Sequence, residues 1–219
     1  MSTEKIENAL LALILADVTP QADLVPVCVD LPTGPLASDL HGPGQFVYFP
    51  VDALMTLGPE NSADAVLAVV GWHGCVAPAQ AGGSAIQSHV LVPGRAYRLD
   101  WAAVANDPVR YASWLWHMTA ATQRLIRQMA LWSFCLQHHT GEQHLASWLL
   151  HCMAQYPRAH LNFHLHALPM SIRQLLQPSD AQNASGFVVH EGRLRVTSPQ
   201  CLAEQACSCH QKMATAPNA

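Results

Sequence analysis

Residues 111 to 150 constrain this 219-residue chain more than any other stretch. Tyr111, Leu115, Met118, Thr122, Leu125, Met129, Trp132 and Leu136 follow one another at alternating steps of four and three. That spacing predicts a helix with a coiled-coil seam that meets a second copy of the chain, making a homodimer. Trp114, Ile126 and Phe134 give a second apolar flank, suited to packing on the β-rich half of the same chain. Asp107 can cap this helix and Pro108 can open it. The helix runs into Thr140-Gly141-Glu142-Gln143, where Thr140 and Gln143 have the spacing of a capping box. Leu145, Trp148, Leu149, Cys152 and Met153 then form one apolar face, which Pro157 ends. A long pairing helix followed by a separately capped one divides the chain into residues 1–107, 108–138 and 139–219.

The flanks differ in pattern. Residues 4–17 predict a short amphipathic helix, with Ile6, Leu10, Leu13 and Ile14 on one face. From Ala22 to Leu99, short β-type runs alternate with Gly and Pro, as in Phe46-Val47-Tyr48-Phe49, Ala65 to Val70, Val90-Leu91-Val92 and Ala96 to Leu99. Such runs predict a sandwich or barrel. Past the middle, Ser171 to Leu176 predicts a short helix or single turn stopped by Pro178. Phe187 to Val196 alternates around Glu191-Gly192, a hairpin signal, and Pro199 to Gln211 can be a last helix. The fold class is α+β.

Composition narrows the function. Half of the residues are hydrophobic and 12% are charged, which excludes a disordered chain. No apolar run approaches the roughly 18 residues of a membrane span. Ala9 to Ala16 is short, acidic at both ends and without a basic leader, so no signal peptide is expected. Seven scattered Cys residues suit free thiols in a reducing, cytoplasmic setting. Residues 1–107 carry a net charge of −8 and residues 108–219 one of +4. An acidic front and a mildly basic back suit a regulator that touches nucleic acid, although +4 is small for tight binding. There is no G-x-S-x-G, P-loop or His-Glu-x-x-His, and no base is paired with a nucleophile, so an enzyme is not expected. Cys207-Ser208-Cys209-His210 lacks the second ligand pair of a tetrahedral zinc site. His160, His164 and His166, with His151 one helix earlier, read as a polar loop. No metal and no cofactor are expected.

Three sets of residues carry a family resemblance. Val47-Tyr48-Phe49-Pro50, followed by Ala68-Val69-Val70-Gly71-Trp72-His73-Gly74, is similar to the VYFP and GxxG segments of the Crp/Fnr superfamily of transcription regulators. Cys135 to His139 and Glu142 to Leu150 resemble its RH-x-x-EQRLARWLL region. Gly192-Arg193-Leu194 and Ala206-Cys207-Ser208-Cys209-His210 resemble its GRI hairpin and ACECY end, over roughly 200 residues in all by the superfamily's usual layout. The resemblance implies an N-terminal β-roll (a double-stranded β-helix) that senses a signal, a dimerisation helix and a C-terminal winged helix-turn-helix domain. It implies DNA contacts from Ser171, Arg173, Gln174, Arg193 and Arg195, and an effector pocket that includes Trp72 and Cys75.

The departures are informative. No Lys or Arg lies between Lys5 and Arg95, and no Asp or Glu between Asp64 and Asp100. The β half therefore lacks the Glu and Arg by which the family holds a cyclic nucleotide, so cyclic AMP is not the expected signal. Cys28 and Cys75 are too few for an iron–sulfur cluster. An apolar or weakly polar small molecule is expected instead. Residues 177–186 contain Pro178 and no Arg or Lys, unlike a groove-filling helix, and the family's two arginines in EQRLARW are His144 and Ser147 here. DNA binding is thus expected to be weak or atypical. The alternative is a degenerate relative that works through protein contacts or heterodimerisation.

Overall fold

The structure, a computed structural model, describes residues 6–17, 24–36, 45–60, 65–77, 86–158, 160–176 and 186–214. Helix α1 (Ala9–Ala16) precedes strands β1 (Val27–Leu31), β2 (Gly34–Pro35), β3 (Phe46–Pro50), β4 (Leu54–Pro59), β5 (Ala68–Val70), β6 (Ile86–Val92) and β7 (Gly94–Asp100). Helices α2 (Trp101–Ala105), α3 (Pro108–His138) and α4 (Gly141–Ala154) follow. The last part contains β8 (Asn162–His164), α5 (Met170–Arg173), β9 (Phe187–His190), β10 (Arg193–Val196), α6 (Pro199–Gln205) and α7 (Cys209–Ala214).

The β half is two antiparallel sheets, ordered β1-β7-β3 and β2-β6-β4-β5. β6 and β7 belong to different sheets and are separated only by Pro93, where the chain turns the corner from one sheet to the other. Leu31, Tyr48, Met55, Val70, Val90 and Ala96 fill the space between the sheets. The short runs thus form two packed sheets, as the sandwich-or-barrel pattern predicted, in the roll that the resemblance implied. α1 starts later than expected, because Asn8 caps it through Leu11 N and is itself anchored by donating to Pro50 O (2.8 Å) and Gly74 O (3.0 Å). With that start, Leu11 joins Leu10 and Ile14 in the core, while Leu13 is exposed.

Asp107 caps α3, accepting from Val109 N and Arg110 N, with Pro108 at its first turn. The Thr140–Gln143 capping box is complete in α4. β8, β10 and β9 form a third sheet, and the β9–β10 turn has positive φ at both Glu191 and Gly192, as a two-residue I′ hairpin requires.

One core joins the halves. Leu54, Val69, Leu91 and Val92 of the roll pack in the same cluster as Trp132, Trp148, Phe163, Leu194 and Leu202. At its edge, Trp72 caps the end of α4: its backbone N–H donates to Gln155 O (3.2 Å) and its indole to Ala154 O (3.3 Å). Helix-terminal carbonyls need such partners. The approach is possible because residue 71 has no side chain; a Cβ there would lie 1.8 Å from Gln155 O. Gly71→Ala should therefore cost about 1–3 kcal/mol in urea unfolding, as overpacking against backbone does. Unchanged stability would show that the two halves are not docked through this point.

Candidate effector cavity and nucleic-acid interface

The face of α3 that the chain itself covers contains Arg110, Trp114, Ala121, Gln128, Trp132 and Cys135. Trp114 and Trp132 lie about five turns apart, so this face follows the 3.6-residue period of a straight helix. The expected seam falls beside it and is split. Tyr111, Leu115, Thr122 and Leu136 are exposed. Met118, Leu125 and Met129 are partly covered by the chain's own roll. Trp132 is buried against His144 and His151 and offers no surface to a partner. Of the second flank, only Trp114 packs inward; Ile126 is 60% exposed and Phe134 48%. Trp116, at 76%, joins them on the open side. A step pattern of three and four fits both periods over a few turns, so spacing alone does not set the phase of the covered face.

Trp72 and Cys75 both line a cleft of about 670 Å³ bounded by α1, the turn after β5, α3 and the ends of α4 and α7. The lining is not purely apolar: α3 adds Arg124, Arg127 and Gln128. The expectation of an apolar pocket rested on the cations of the β half alone, and a helix from outside that half brings in others. Burial holds the His73 imidazole below its ordinary pKa, and Arg124 acts in the same direction. Burial pushes the Cys75 thiol up to about 12, against the pull of Arg124, and Cys75 Sγ lies 3.7 Å from Met118 Sδ. Cys75 is therefore a neutral thiol and not a nucleophile.

Gln128 is buried at the cavity wall and ties three elements together. Its Oε1 accepts from His151 Nε2 (2.7 Å) and from Val69 N (2.8 Å), and its Nε2 donates to Val69 O (3.3 Å). The amide thus serves β5 as a strand neighbour would, and the same oxygen holds α4. Burial brings the His151 pKa down to about 4, so its ring is neutral at neutral pH. This placement takes His151 away from the histidine loop, where His164 and His166 approach each other, with ring centroids 5.3 Å apart.

The wing carries Arg193 and Arg195 on one outward face of β10, with Leu194 and Val196 buried on the other. Ser171 and Gln174 are exposed and Arg173 is partly buried at α5, which has only four residues. Arg158, in the basic half of the chain, reaches the roll and pairs with Asp52. Asp52 also accepts from Arg95 N (2.5 Å) and Arg95 Nε (3.3 Å), and Arg95 pairs with Glu7 (3.3 Å). Burial alone would raise the Asp52 pKa, but the Arg95 N–H and the two guanidiniums outweigh it and hold the carboxyl below its ordinary value. Residues 177–185, which decide whether a DNA-reading helix exists, lie outside the described residues.

No family profile matches the sequence, and no curated protein does. Solved structures do match in shape. FixK2 from Bradyrhizobium japonicum superposes with a TM-score of 0.54 at 13% identity, covering 84% of this chain and 98% of that one. TTHB099 from Thermus thermophilus, a transcriptional regulator of the CRP family, gives 0.53 at 14% identity, covering 81% and 95%. The chain has the Crp/Fnr fold. Among the described residues, no helix is long and apolar enough to cross a membrane.

The buried imidazole gives the Crp/Fnr fold here a pH dependence. His151 takes up its proton near pH 4 in the folded chain and near 6.5 when unfolded, by the usual reference value. Between those values the unfolded chain binds more protons, so stability is complete above about pH 6.5 and declines as the pH falls through that window. The decline due to this group should reach about 3 kcal/mol by pH 4. His151→Gln keeps a donor for Gln128 and should flatten the difference between urea melts at neutral and acidic pH. An equally steep decline in the variant would assign the acid sensitivity to other groups.

Proposed function

We propose that the chain is a homodimeric transcription regulator that binds DNA through its winged part, under the control of a small molecule held in the 670 Å³ cavity. The observation that carries this reading is the pair Arg193 and Arg195, set side by side on the open face of a wing. Two guanidiniums on alternate residues of one strand can meet the phosphates of a single backbone. The α5 segment adds Ser171, Arg173 and Gln174. Few cations and a four-residue helix support weak, salt-sensitive binding with little base discrimination. The roll's own charges do not suit a cyclic nucleotide. Arg95 is on Asp52, and Arg98 stacks over the Phe46 ring at 4.2 Å. An effector with an apolar body and an acidic group facing Arg124 matches the cavity best. The dimer face is the open side of α3, with Leu115, Trp116, Ile126 and Phe134, rather than the whole of the expected seam.

Two experiments test this. Leu115→Asp with Ile126→Asp should convert dimers to monomers by light scattering, while substitutions at Leu125 and Met129, packed on the roll, should affect stability first. An unchanged mass would remove the open face of α3 as the interface. In gel-shifts with genomic fragments, Arg193→Ala with Arg195→Ala should weaken binding alike for all sequences and lower the salt slope by roughly two units. Nanomolar, site-specific binding would show a working reading helix in residues 177–185. No binding at low salt would favour a regulator that acts through protein contacts.

A further inference from the structure

The buried cysteines at the C-terminal end of α3 are used by none of the functions above. Cys135 of α3, Cys207 of the α6–α7 link and Cys209 of α7 bring their sulfurs within 4.8 Å of one another, and all three are buried. Along the chain, Cys207-Ser208-Cys209-His210 lacks further ligands. Folding supplies Cys135 from 72 residues away and turns His210 aside, its Nδ1 lying 2.9 Å from Cys207 O. In place of His210 comes His144 of α4, with Nδ1 3.4 Å from Cys135 Sγ.

We propose that Cys135, Cys207 and Cys209 bind one zinc ion as a structural site, which His144, beside Cys135, closes as fourth ligand by moving toward the other two sulfurs. The spacings fit. Zn–S bonds of about 2.3 Å and tetrahedral angles put two sulfurs about 3.8 Å apart, and a sulfur and an imidazole nitrogen about 3.5 Å apart. Cys135 Sγ and Cys207 Sγ are 3.5 Å apart, and Cys135 Sγ and His144 Nδ1 3.4 Å. Three soft sulfurs and one nitrogen select zinc over magnesium or calcium. An outer layer is present as well. The Cys207 N–H donates to Ser147 Oγ (3.2 Å), which leaves the serine hydroxyl to donate to Cys207 Sγ, also at 3.2 Å. Binding replaces three thiol protons by the metal, releases those protons to solvent, and leaves a site of single negative charge. Because the ligands come from α3, α4 and the α7 region, the ion would fix the carboxyl-terminal helices to the junction between the dimer helix and the winged part.

The test uses the full chain, purified with thiol reductant and without chelator. About one zinc per chain by mass spectrometry of metals is expected. Reconstitution with cobalt(II) should give the intense thiolate charge-transfer band and visible d–d bands of a tetrahedral centre. Cys207→Ser and Cys209→Ser should each abolish or sharply weaken those bands, His144→Ala should shift them, and Cys201→Ser should leave them unchanged. If the cysteine variants fail to fold, X-ray absorption of the zinc-loaded wild type decides, with three sulfurs and one nitrogen bound to the metal expected. Metal-free protein that takes up no cobalt, cobalt bands insensitive to Cys207 and Cys209, a metal bound by oxygen alone, or a Cys135–Cys207 disulfide in place of the metal would each overturn the proposal.

Discussion

The side chain of Gln128 is the point on which the two halves depend. It is buried on a helix that faces the end of a sheet, and the backbone of Val69 at that edge needs a donor and an acceptor. One amide supplies both. A buried polar group left without its partner costs about 1–3 kcal/mol, so each of these three bonds constrains the others. The remaining lone pair of Gln128 takes the His151 ring and thereby sets where α4 lies. The neutral state of that ring follows, because a buried imidazolium here would have an amide oxygen and the Trp132 ring for company, and neither carries a negative charge.

α4 is consequently held along its whole length. At its start the capping box turns the chain out of α3, and His144 faces Cys135. In its middle Ser147 faces Cys207, and His151 faces Gln128. At its end the carbonyls of Ala154 and Gln155 meet Trp72. The contacts at the end belong to the cavity wall, and those at the start do not. A molecule held in the cavity would touch the roll, the long helix and the last turn of α4 at once.

How far the sequence revealed this depends on how local each signal was. The caps at Asp107 and Thr140 and the Glu191-Gly192 turn lie within a few residues of what they control, and each forms as the spacing predicted. The seam on α3 was legible as apolar but not in phase. A helix with apolar residues on more than half of its circumference has several alternating stripes, and only its neighbours decide which is covered. Arg158 was legible as a charge, but its pairing with Asp52 spans 106 residues and no spacing announces it. The same holds for Arg124, which belongs to a helix in sequence and to the cavity in space.

His144 and Ser147 show the limit most clearly. Along the chain, they stand where the family resemblance places arginines, and their small polar side chains suggest only a weaker grip on DNA. In the folded chain both are buried, Ser147 wholly, and both face sulfur. A guanidinium at either position would have to be desolvated beside thiols that carry no opposing charge unless ionised, which is unfavourable without an anionic partner. An imidazole and a hydroxyl can be buried there neutral, each with a hydrogen-bonding group in reach. Neutral side chains at these two positions are thus what the packing around Cys135 and Cys207 accommodates.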